Sequence, residues 1–498
     1  MIDPTSSSTP RPKIELVNRQ QLLLRTVDVE QLVPEDDPVR AIWELSGRLN
    51  LDRFYEAISS HEGEAGREAI DPRLLICVWV YAYSQGIGSA REVERLLDYH
   101  PGFQWLTGMR AINHHTLSDF RIRHKEALDD LFTQMLGVLS SEGLLTLERV
   151  MHDGTKVIAS AGLGSFRQEE RLKEHLRLAK EQVAHMDDPR TAQEVTPRLR
   201  AARERAAKDK QARLEQALVE LERVRQQPGR RGPSKEARVS TTDSEARIMK
   251  GGDDGYHPSY NVQLSTDAAA GAVVSVDVSQ SASDTGGLVQ AVEQIEARLG
   301  EKPKQMMADS EYTTNENVIA MDQKKVDFIG SLRPPPWSLL RQPRRQPVFG
   351  PSAFAYEPLT NTVRCANGKT LHHVVTHVKY FHRTSEYRAR AADCRPCPYR
   401  QLCSPRTPSR LFKRSEPIPI IAAFRARMQT EAVKEIYKQR GAVAEFTNAW
   451  IKEKLGLRRF RLRGCVKAGT EVLWATLTLN MQLWIRRIWQ PRWAITAT

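Results

Sequence analysis

The chain lacks the segments that mark export or membrane insertion. Its first residues, Met-Ile-Asp-Pro-Thr-Ser-Ser-Ser, contain no basic stretch followed by an apolar one, so a secretory signal is not predicted. The longest apolar run, Leu74 to Tyr83, is too short to span a bilayer. There are only 6 cysteines in 498 residues, too few for a disulfide scaffold. We therefore expect a cytoplasmic protein that has no membrane partner.

The chain carries an excess of positive charge. Lysine and arginine number 74 against 61 aspartates and glutamates, which gives a formal net charge of +13. Such an excess favours a polyanionic partner, and nucleic acid is the commonest one. Charge alone leaves open a soluble enzyme that happens to be basic. The length and the 40% hydrophobic content suit a globular protein of several domains.

Residues 1–35 and residues 36–145 differ in their sequence pattern. Residues 1–35 are rich in proline, serine and charge, which predicts a flexible terminus. From Pro38 onward, apolar residues recur at helical spacing. The segment from Pro72 to Gln85 is apolar nearly all round, which predicts a buried helix. Residues 36–145 are therefore predicted to form a helical domain.

The helices of this domain are expected to begin at capping residues. Ser89 and Glu92 have the spacing of a capping box. Thr116 and Asp119 are expected to begin a later, basic helix that carries Arg121. Short helices with a basic helix last are typical of a helix-turn-helix unit that binds DNA. A plain helical bundle fits the pattern equally well.

Strand patterns begin at Arg149 and mix with helices from there to the end of the chain. The predicted strands are Arg149 to Val157, Tyr260 to Ser265, Ala272 to Val278, Gln305 to Asp309 and Val326 to Leu332. Leu288 to Leu299 has the pattern of an amphipathic helix, and helices resume from about Ile421 to Trp489. The predicted core is therefore α/β, formed by residues 146–162, 235–335 and 421–490.

Two inserts are predicted to interrupt this core. Residues 163–234 are highly charged and carry two apolar stripes at helical spacing, which predicts an antiparallel helical hairpin. Asp187-Asp-Pro189 and Pro197 separate its halves, and a basic Gly/Pro linker follows from Pro228 to Pro233. The hairpin charges are those of a solvated face, unless they contact DNA or a second subunit. Residues 336–420 form the second insert, which contains cysteines. The prolines from Pro334 to Pro336 end the strand before it.

Four cysteines of the second insert are candidates for a metal site. They are Cys365, Cys394, Cys397 and Cys403. Four cysteines that include one Cys-x-x-Cys pair can form a structural zinc site. The other half of the pattern is irregular, so reduced cysteines in a small β insert are an equal alternative. Cys77 and Cys465 stand alone and are expected in the core.

Two aspartates stand at predicted strand ends in apolar surroundings. Asp153 follows Val150-Met-His, and Asp309 follows Met306-Met-Ala. An aspartate at a strand end is usually a turn former. Two of them on adjacent strands can instead bracket a hard cation such as Mg²⁺, which takes oxygen ligands. A third carboxylate from a helix would complete such a set.

Glu445 is the candidate for the third carboxylate. It lies among Ala442, Val443, Ala444 and Phe446, which is expected to place it near a core-facing side of a helix. Lys452 follows seven residues later on nearly the same helical face. An ordinary surface pattern would look the same. In a functional site, the glutamate would hold a metal ion and the lysine a nearby phosphate.

A basic cluster follows Glu445. It comprises Lys452, Lys454, Arg458, Arg459, Arg461 and Arg463, interleaved with Leu457, Phe460 and Leu462. Basic side chains backed by apolar anchors suit contacts to phosphates, which give affinity without sequence choice. A solvated helix end is the alternative, and the nearby acids favour DNA.

Several short motifs together resemble one family. They are His152-Asp153-Gly-Thr-Lys156, Tyr260-Asn-Val-Gln263, Ala308-Asp309-Ser-Glu-Tyr312, the set Tyr437/Arg440/Glu445/Lys452, Phe460-Arg-Leu-Arg463-Gly464 and Leu479-Asn480. In this order they resemble a bacterial insertion-sequence transposase of the DDE class. Among insertion sequences, the resemblance is to the group numbered eleven-eighty-two or to a close relative of it. That group is related to the insertion sequences of the group numbered four. The resemblance runs from about Val33 to Arg487, and each motif alone is weak.

The resemblance implies a fold, a chemistry and partners. It implies a ribonuclease-H-like catalytic core and a Cys-containing insert. The N-terminal helical domain is predicted from the sequence pattern, and the helical-hairpin insert is a departure from the family that splits the first strand from the second. Asp153 would lie on the first strand, Asp309 just after the fourth, and Glu445 on a late helix, where they would hold two Mg²⁺ or Mn²⁺ ions. Tyr437, Arg440 and Lys452 would contact double-stranded DNA near the cut, at element ends and target. A homodimer and a nucleoid-associated location are implied as well.

Two alternatives stay open beside transposition. A metal-dependent nuclease of the same fold would cut DNA without joining strands. A non-catalytic DNA-binding protein derived from a transposase would not need the three carboxylates to converge. The sequence departs mildly from the family, because Ser310-Glu311 replaces the small pair that is more usual after the second aspartate.

Overall fold

The computed structural model describes residues 19–20, 22, 24, 26–60, 68–186, 196–226, 237–332, 350–379 and 381–496. Much of the predicted flexible terminus therefore lies outside the described residues. The same holds for the predicted turn from Asp187 to Pro189, the linker from Pro228 to Pro233 and the prolines from Pro334 to Pro336.

Helices make up the N-terminal part of the chain, as predicted. They are α1 (Pro38–Ser46), α2 (Asp52–Tyr55), α3 (Pro72–Ser84), α4 (Ala90–Leu96), α5 (Pro101–Thr107), α6 (His114–Arg123) and α7 (Lys125–Ser141). Helix α3 begins where the Asp71 side chain accepts the Arg73 N–H, with Pro72 in the first turn. Its residues from Leu75 to Tyr83 are buried, which confirms the predicted core helix.

The predicted helix starts need two corrections. Ser89 caps α4 by position, but its side chain makes no capping hydrogen bond, so the capping box with Glu92 was wrong. Helix α6 starts at His114 because Asn113, an equally good cap, accepts the His115 N–H one turn before the expected start.

Arg121 does not belong to an exposed basic face. Its side chain is buried, its guanidinium donates to the Gly88 carbonyl over 2.6 Å, and it lies over the Trp79 ring. It therefore supports packing inside the helical domain.

A mixed sheet of six strands lies at the centre of the protein. Its strands are β1 (Arg149–Ile158), β4 (Arg247–Lys250), β5 (Tyr256–Asp267), β6 (Val273–Ser279), β7 (Gln305–Ala308) and β8 (Asp327–Gly330). The order is β4-β5-β1-β7-β8, and β6 also pairs with β5. The β1–β5 and β5–β6 pairs are antiparallel, whereas β1–β7 and β7–β8 are parallel. The predicted strands and the α/β class are confirmed. One detail was wrong, because β1 continues to Ile158 and Asp153 therefore lies within the strand and not at its end.

The register of β1 fixes what surrounds its polar residues. Asp153 stands opposite Leu264 of β5, and Gly154 stands opposite Gln263. On the other side, Met151 pairs with Met307 of β7. Strand β7 ends one residue later, at Ala308, so Asp309 leaves the sheet next to β1.

The charged insert after β1 contains two long helices that pack on each other. Helices α8 (Glu169–Met186) and α9 (Pro197–Gln226) enclose a small core of Leu172, Ala179, Leu214, Ala217 and Leu221. Beside them lies a two-stranded sheet of β2 (Phe166–Arg167) and β3 (Val239–Ser240). The buried Glu220 of α9 pairs with Arg247 of β4, which ties the hairpin to the central sheet.

The cysteine-containing segment forms a second, antiparallel sheet. Its strands are β9 (Phe354–Glu357), β10 (Thr362–Cys365), β11 (Thr370–Lys379), β12 (His382–Ala389) and β13 (Leu411–Pro417), joined in sequence order. Two short helices, α12 (Ala391–Cys394) and α13 (Arg400–Cys403), lie between β12 and β13. The buried core is small and consists of Phe354, Val363, Leu371, Tyr387 and Ala389.

Helices cover the sheet and connect it to the N-terminal helices. They are α10 (Gly287–Leu299), α11 (Asn315–Gln323), α14 (Pro419–Met428), α15 (Glu431–Glu453), α16 (Cys465–Trp484) and α17 (Gln490–Thr496). Helix α16 is almost entirely buried and packs on α3, α7 and β6. Within α16, the Asn480 amide accepts the Val273 N–H over 2.9 Å and donates to its carbonyl over 2.8 Å. None of the described helices combines the length and the apolar character needed to cross a membrane.

Candidate active site

The carboxylate of Asp153 is hydrogen-bonded by two residues of the late helix α15. Its Oδ1 accepts a hydrogen bond from Arg440 Nη2 over 2.8 Å, and its Oδ2 accepts one from Asn448 Nδ2 over 2.7 Å. Helix α15 continues without a break through Gly441, so Arg440 and Asn448 reach the aspartate from points about two turns apart. The side chains of Arg440 and Asp153 are only 12% and 18% exposed. Both oxygens of Asp153 are therefore occupied by nitrogen donors.

Asp309 is the second acid of the site. It follows β7 directly, and its Oδ1 accepts the Glu311 N–H over 2.7 Å. Burial raises the pKa of Asp153 to about 6, Arg440 opposes that rise, and the negative charges of Asp309 and Asp284 add to it. Asp309 is thus close enough to Asp153 for its charge to raise the pKa of Asp153, as expected from adjacent parallel strands.

Glu445 does not face the core, which corrects that part of the expectation. It is exposed, and its Oε1 lies 3.4 Å from the place where a Cβ atom of Gly441 would stand. The buried face of α15 carries Ala444, Thr447 and Ile451 instead, because the helical period sets the face and apolar neighbours in sequence do not. Across the described residues, no three His, Cys, Asp or Glu side chains form a group arranged to hold a metal ion. Convergence of all three acids stays a prediction.

Tyr437 and Lys452 lie in the electrostatic field of the aspartates. Burial raises the pKa of Tyr437, and the charges of Asp309 and Asp153 raise it further. Burial lowers the pKa of Lys452, and Arg458 lowers it further, whereas Asp153 acts in the opposite direction. Helix α15 therefore brings Tyr437, Arg440 and Lys452 to the neighbourhood of Asp153, together with Asn448, which the sequence analysis missed.

A second polar group behind Asp153 also escaped prediction. Asp284, in the loop before α10, accepts from Lys156 Nζ over 2.6 Å and from Gln263 Nε2 over 3.0 Å. Asn261 donates to the same Oδ1 atom. Lys156, Asn261 and Gln263 lay in the recognised motifs, but nothing in the Ser-Ala-Ser-Asp284 segment marked this acid.

A buried hydrogen-bond network lies beneath this group. His152 Nδ1 contacts Ser265 Oγ at 2.9 Å, and His152 Nε2 contacts Gln263 Oε1 at 3.1 Å. The Tyr312 hydroxyl donates to the same amide oxygen, and its ring meets His152 edge-on. Burial lowers the pKa of His152 to about 4, so the imidazole is neutral near pH 7. The network holds β1, β5 and the segment after β7 together around Asp153.

The basic cluster begins where β1 ends. Phe460 N–H donates to the Ile158 carbonyl over 2.8 Å, and Ile158 N–H donates to the Arg458 carbonyl over 3.2 Å. Leu457 and Phe460 are buried, whereas four arginines are exposed: Arg458, Arg459, Arg461 and Arg463. Backbone pairing thus fixes an exposed row of arginines at the end of the strand that carries Asp153.

The four cysteines of the second sheet are free thiols of partial burial. Cys365, Cys394 and Cys403 pack against the same small core. Burial raises the pKa of Cys403, and the thiols of Cys365, Cys394 and Cys397 raise it further, so the four lie within electrostatic range. In the described part they are not arranged as a metal-holding group. Cys77 is buried as expected, and Cys465 is partly buried.

Comparisons with known proteins point to one class. A family model described as a transposase DDE domain matches residues 364–484, which include all four cysteines of the second insert and Glu445. A second, described as transposase domain (DUF772), matches residues 27–123. The search of curated proteins found no match. Among solved structures, a piggyBac transposase synaptic complex with hairpin DNA aligns at a TM-score of 0.31 and 9% identity, over 90% of this chain and 74% of that one. Similarity at that level carries no argument about this chain.

Both family models describe transposases, so the protein is an enzyme of DNA transposition. The two matches, which lie in separate parts of the chain, support a DDE transposase of an insertion sequence.

Proposed function

We propose that the enzyme cuts and rejoins the DNA ends of its insertion sequence by metal-dependent phosphoryl transfer in a ribonuclease-H-like core. The proposal rests on one observation above all. Asp153 and Asp309 come from adjacent parallel strands, and each lies in the field of the other. The order β6-β5-β1-β7-β8 supports the ribonuclease-H-like assignment. In it, β5 runs antiparallel to both β6 and β1, whereas β7 and β8 run parallel to β1.

Asp153, Asp309 and Glu445 are proposed to hold two Mg²⁺ or Mn²⁺ ions. The donor set suits a hard cation, since all three groups are carboxylates. Asn448 Oδ1, which is buried and has no hydrogen-bond partner among the described residues, offers a further oxygen beside Asp153. Bound ions of this kind stabilise the attacking and leaving oxygens of a phosphodiester. In this proposal a rotation of the exposed Glu445 side chain brings its carboxylate towards the aspartates.

The side chains around the acids are suited to hold DNA. Arg440 and Lys452 would position the phosphodiester next to the carboxylates, and Tyr437 would pack beside it. Further along the DNA, its backbone phosphates would bind to four exposed arginines: Arg458, Arg459, Arg461 and Arg463. Contacts to phosphates fix the position of the DNA without depending on its sequence. The protein would act on paired element ends as a homodimer in the bacterial nucleoid. The cysteines of the second sheet are proposed as a structural zinc site.

The test is a cleavage assay with the DNA that flanks the coding sequence. With Mg²⁺ and candidate ends, we expect nicking and strand transfer by the wild type. Asp153→Asn, Asp309→Asn and Glu445→Gln should each abolish cutting and keep most end binding. Glu435→Gln is the matched control, since Glu435 lies on the same helix and is exposed.

The outcomes separate the candidate functions. Cutting without strand transfer would favour a nuclease of the same fold. End binding with no cutting by the wild type would favour a non-catalytic DNA-binding protein. A variant of any one acid that nicks at the wild-type rate would remove that acid from the mechanism.

A further inference from the structure

The contacts of Asp153 conflict with its proposed use. Arg440 donates to Oδ1 of Asp153, and Asn448 donates to Oδ2. Both donors come from one continuous helix, so neither can retreat far without a change of rotamer. A cation bound at Asp153 would lie next to the guanidinium, and like charges at such separation repel strongly inside a protein. The arginine must leave before a cation can bind.

We propose that Arg440 and Asn448 form a guard on Asp153, which keeps divalent cations from this acid until a DNA phosphate draws Arg440 away. The inference rests on the proposed function and adds its regulation. Arg440 and Asn448 are positioning residues in this scheme. The guanidinium substitutes for the cation in the resting protein and compensates the buried carboxylate.

Two buried polar atoms at this contact are available to a further ligand. Arg440 Nε and Asn448 Oδ1 have no hydrogen-bond partner among the residues that the structure describes. A buried polar atom without a partner is costly. A phosphate oxygen accepts from Nε, and phosphate matches the fork of an arginine in a bidentate way. The unused donor therefore identifies the class of ligand that would pull Arg440 from Asp153.

The surroundings supply a path for such a phosphate. Lys452 lies close enough to Asp153 and Lys156 for the charges of both to shift its pKa. Positive charge therefore continues along the helix from Arg440 to Lys452. The exposed arginines at the end of β1 extend it further. A DNA strand seated along these groups would reach Arg440 from the solvent side.

The guard makes cation binding and DNA binding cooperative. If DNA raises the affinity of Asp153 for a cation by some factor, the cation must raise the affinity for DNA by the same factor. Allosteric couplings of this kind are typically about 5–150-fold. The expected consequence is a resting enzyme with weak cation affinity at Asp153, which limits cutting away from bound DNA.

Cation binding by the full-length, DNA-free chain tests the guard. Free Mn²⁺ is measured by electron paramagnetic resonance during a titration. Removing the guanidinium in Arg440→Met should tighten Asp153-dependent Mn²⁺ binding, on the order of ten-fold. Asn448→Ala should tighten it less, because it removes no charge. Arg440→Lys, which keeps the charge, should return the affinity towards the wild-type value.

Two controls make the result specific. Lys438→Met removes a positive charge from the same helix without touching Asp153, since Lys438 is exposed and pairs with Glu435. It should leave Mn²⁺ binding unchanged. Asp153→Asn in each background identifies the fraction of binding that depends on this acid. Thermal melting of every variant checks the fold.

A second titration, on ice, adds a duplex of the DNA that flanks the coding sequence. The duplex should tighten Mn²⁺ binding by the wild type, and it should have little further effect on Arg440→Met. Equal Mn²⁺ affinity of wild type and Arg440→Met without DNA would overturn the guard and leave the proposed function standing. Mn²⁺ binding that never depends on Asp153 would overturn both.

Discussion

Oδ1 of Asp284 lies 2.6 Å from the position that a Cβ atom of Gly154 would occupy. Gln263 Nε2 at 2.6 Å and the Tyr312 hydroxyl at 2.8 Å crowd the same position. Gly154, which follows Asp153, therefore has no room for a side chain. The loop that carries Asp284 is in direct contact with β1 at this point. Three separate segments of the chain meet at this point behind the proposed catalytic acid.

Gly154→Ala should destabilise the protein and impair cutting together. The added methyl must displace the polar atoms that hold Asp284 and Gln263, and overpacking of this kind costs about 1–3 kcal/mol. Gly137→Ala is the matched control. Gly137 lies on the exposed side of α7, and nothing lies within 4 Å of its Cβ position. There alanine should stabilise the helix by about 0.5–1 kcal/mol. Chemical unfolding of both variants measures the difference, and equal stabilities would contradict the prediction.

His152 should make the wild type lose stability in acid. Its pKa falls from 6.5 to about 4 on folding, so below about pH 6.5 the unfolded chain binds a proton that the folded chain does not. Stability from this group is complete above that pH and falls as pH drops towards 4. The loss reaches about 3 kcal/mol, given 1.36 kcal/mol for each pKa unit. His152→Gln removes it.

The measurement is the free energy of unfolding against pH, with a chelator present, for wild type and His152→Gln. The advantage of the wild type should shrink between about pH 6.5 and pH 4. A constant difference would show that His152 is not held neutral. Asp153 has the opposite effect on the pH dependence of stability, because folding raises its pKa from 3.8 to about 6. Between these two pH values its buried charge lowers the stability as pH increases. Asp153→Asn should therefore remove a contribution that lowers stability as pH rises from about 4 to 6.

The cysteine module should carry one zinc ion per chain. Its buried core is small, and small β units often depend on a metal for stability. Elemental analysis of the purified protein should find zinc in the wild type and lose it in Cys394→Ser and Cys397→Ser. Cys77→Ala, outside the module, should retain it. Zinc content that is negligible in the wild type, or unchanged in Cys397→Ser, would leave the four cysteines as reduced thiols.

Much of the fold followed from local pattern. The strand at Arg149, the buried helix at Pro72 and the helical hairpin appeared where hydrophobic spacing placed them, because burial of an apolar face is encoded residue by residue. Caps were less predictable. Ser89 stands at the N-cap of α4 without a side-chain hydrogen bond, and Asn113 caps α6 ahead of Thr116.

The sequence by itself determined the α/β class, the strand that carries Asp153, the strand that Asp309 follows, and the motifs that resemble the transposase family. Only the tertiary structure decided which side chains meet. The orientation of α15 about its axis brings Asn448 to β1 and leaves Glu445 facing solvent. The position of the loop before α10 brings Asp284 to β1. Contacts between residues distant in the chain depend on how elements pack, and no local spacing contains that information.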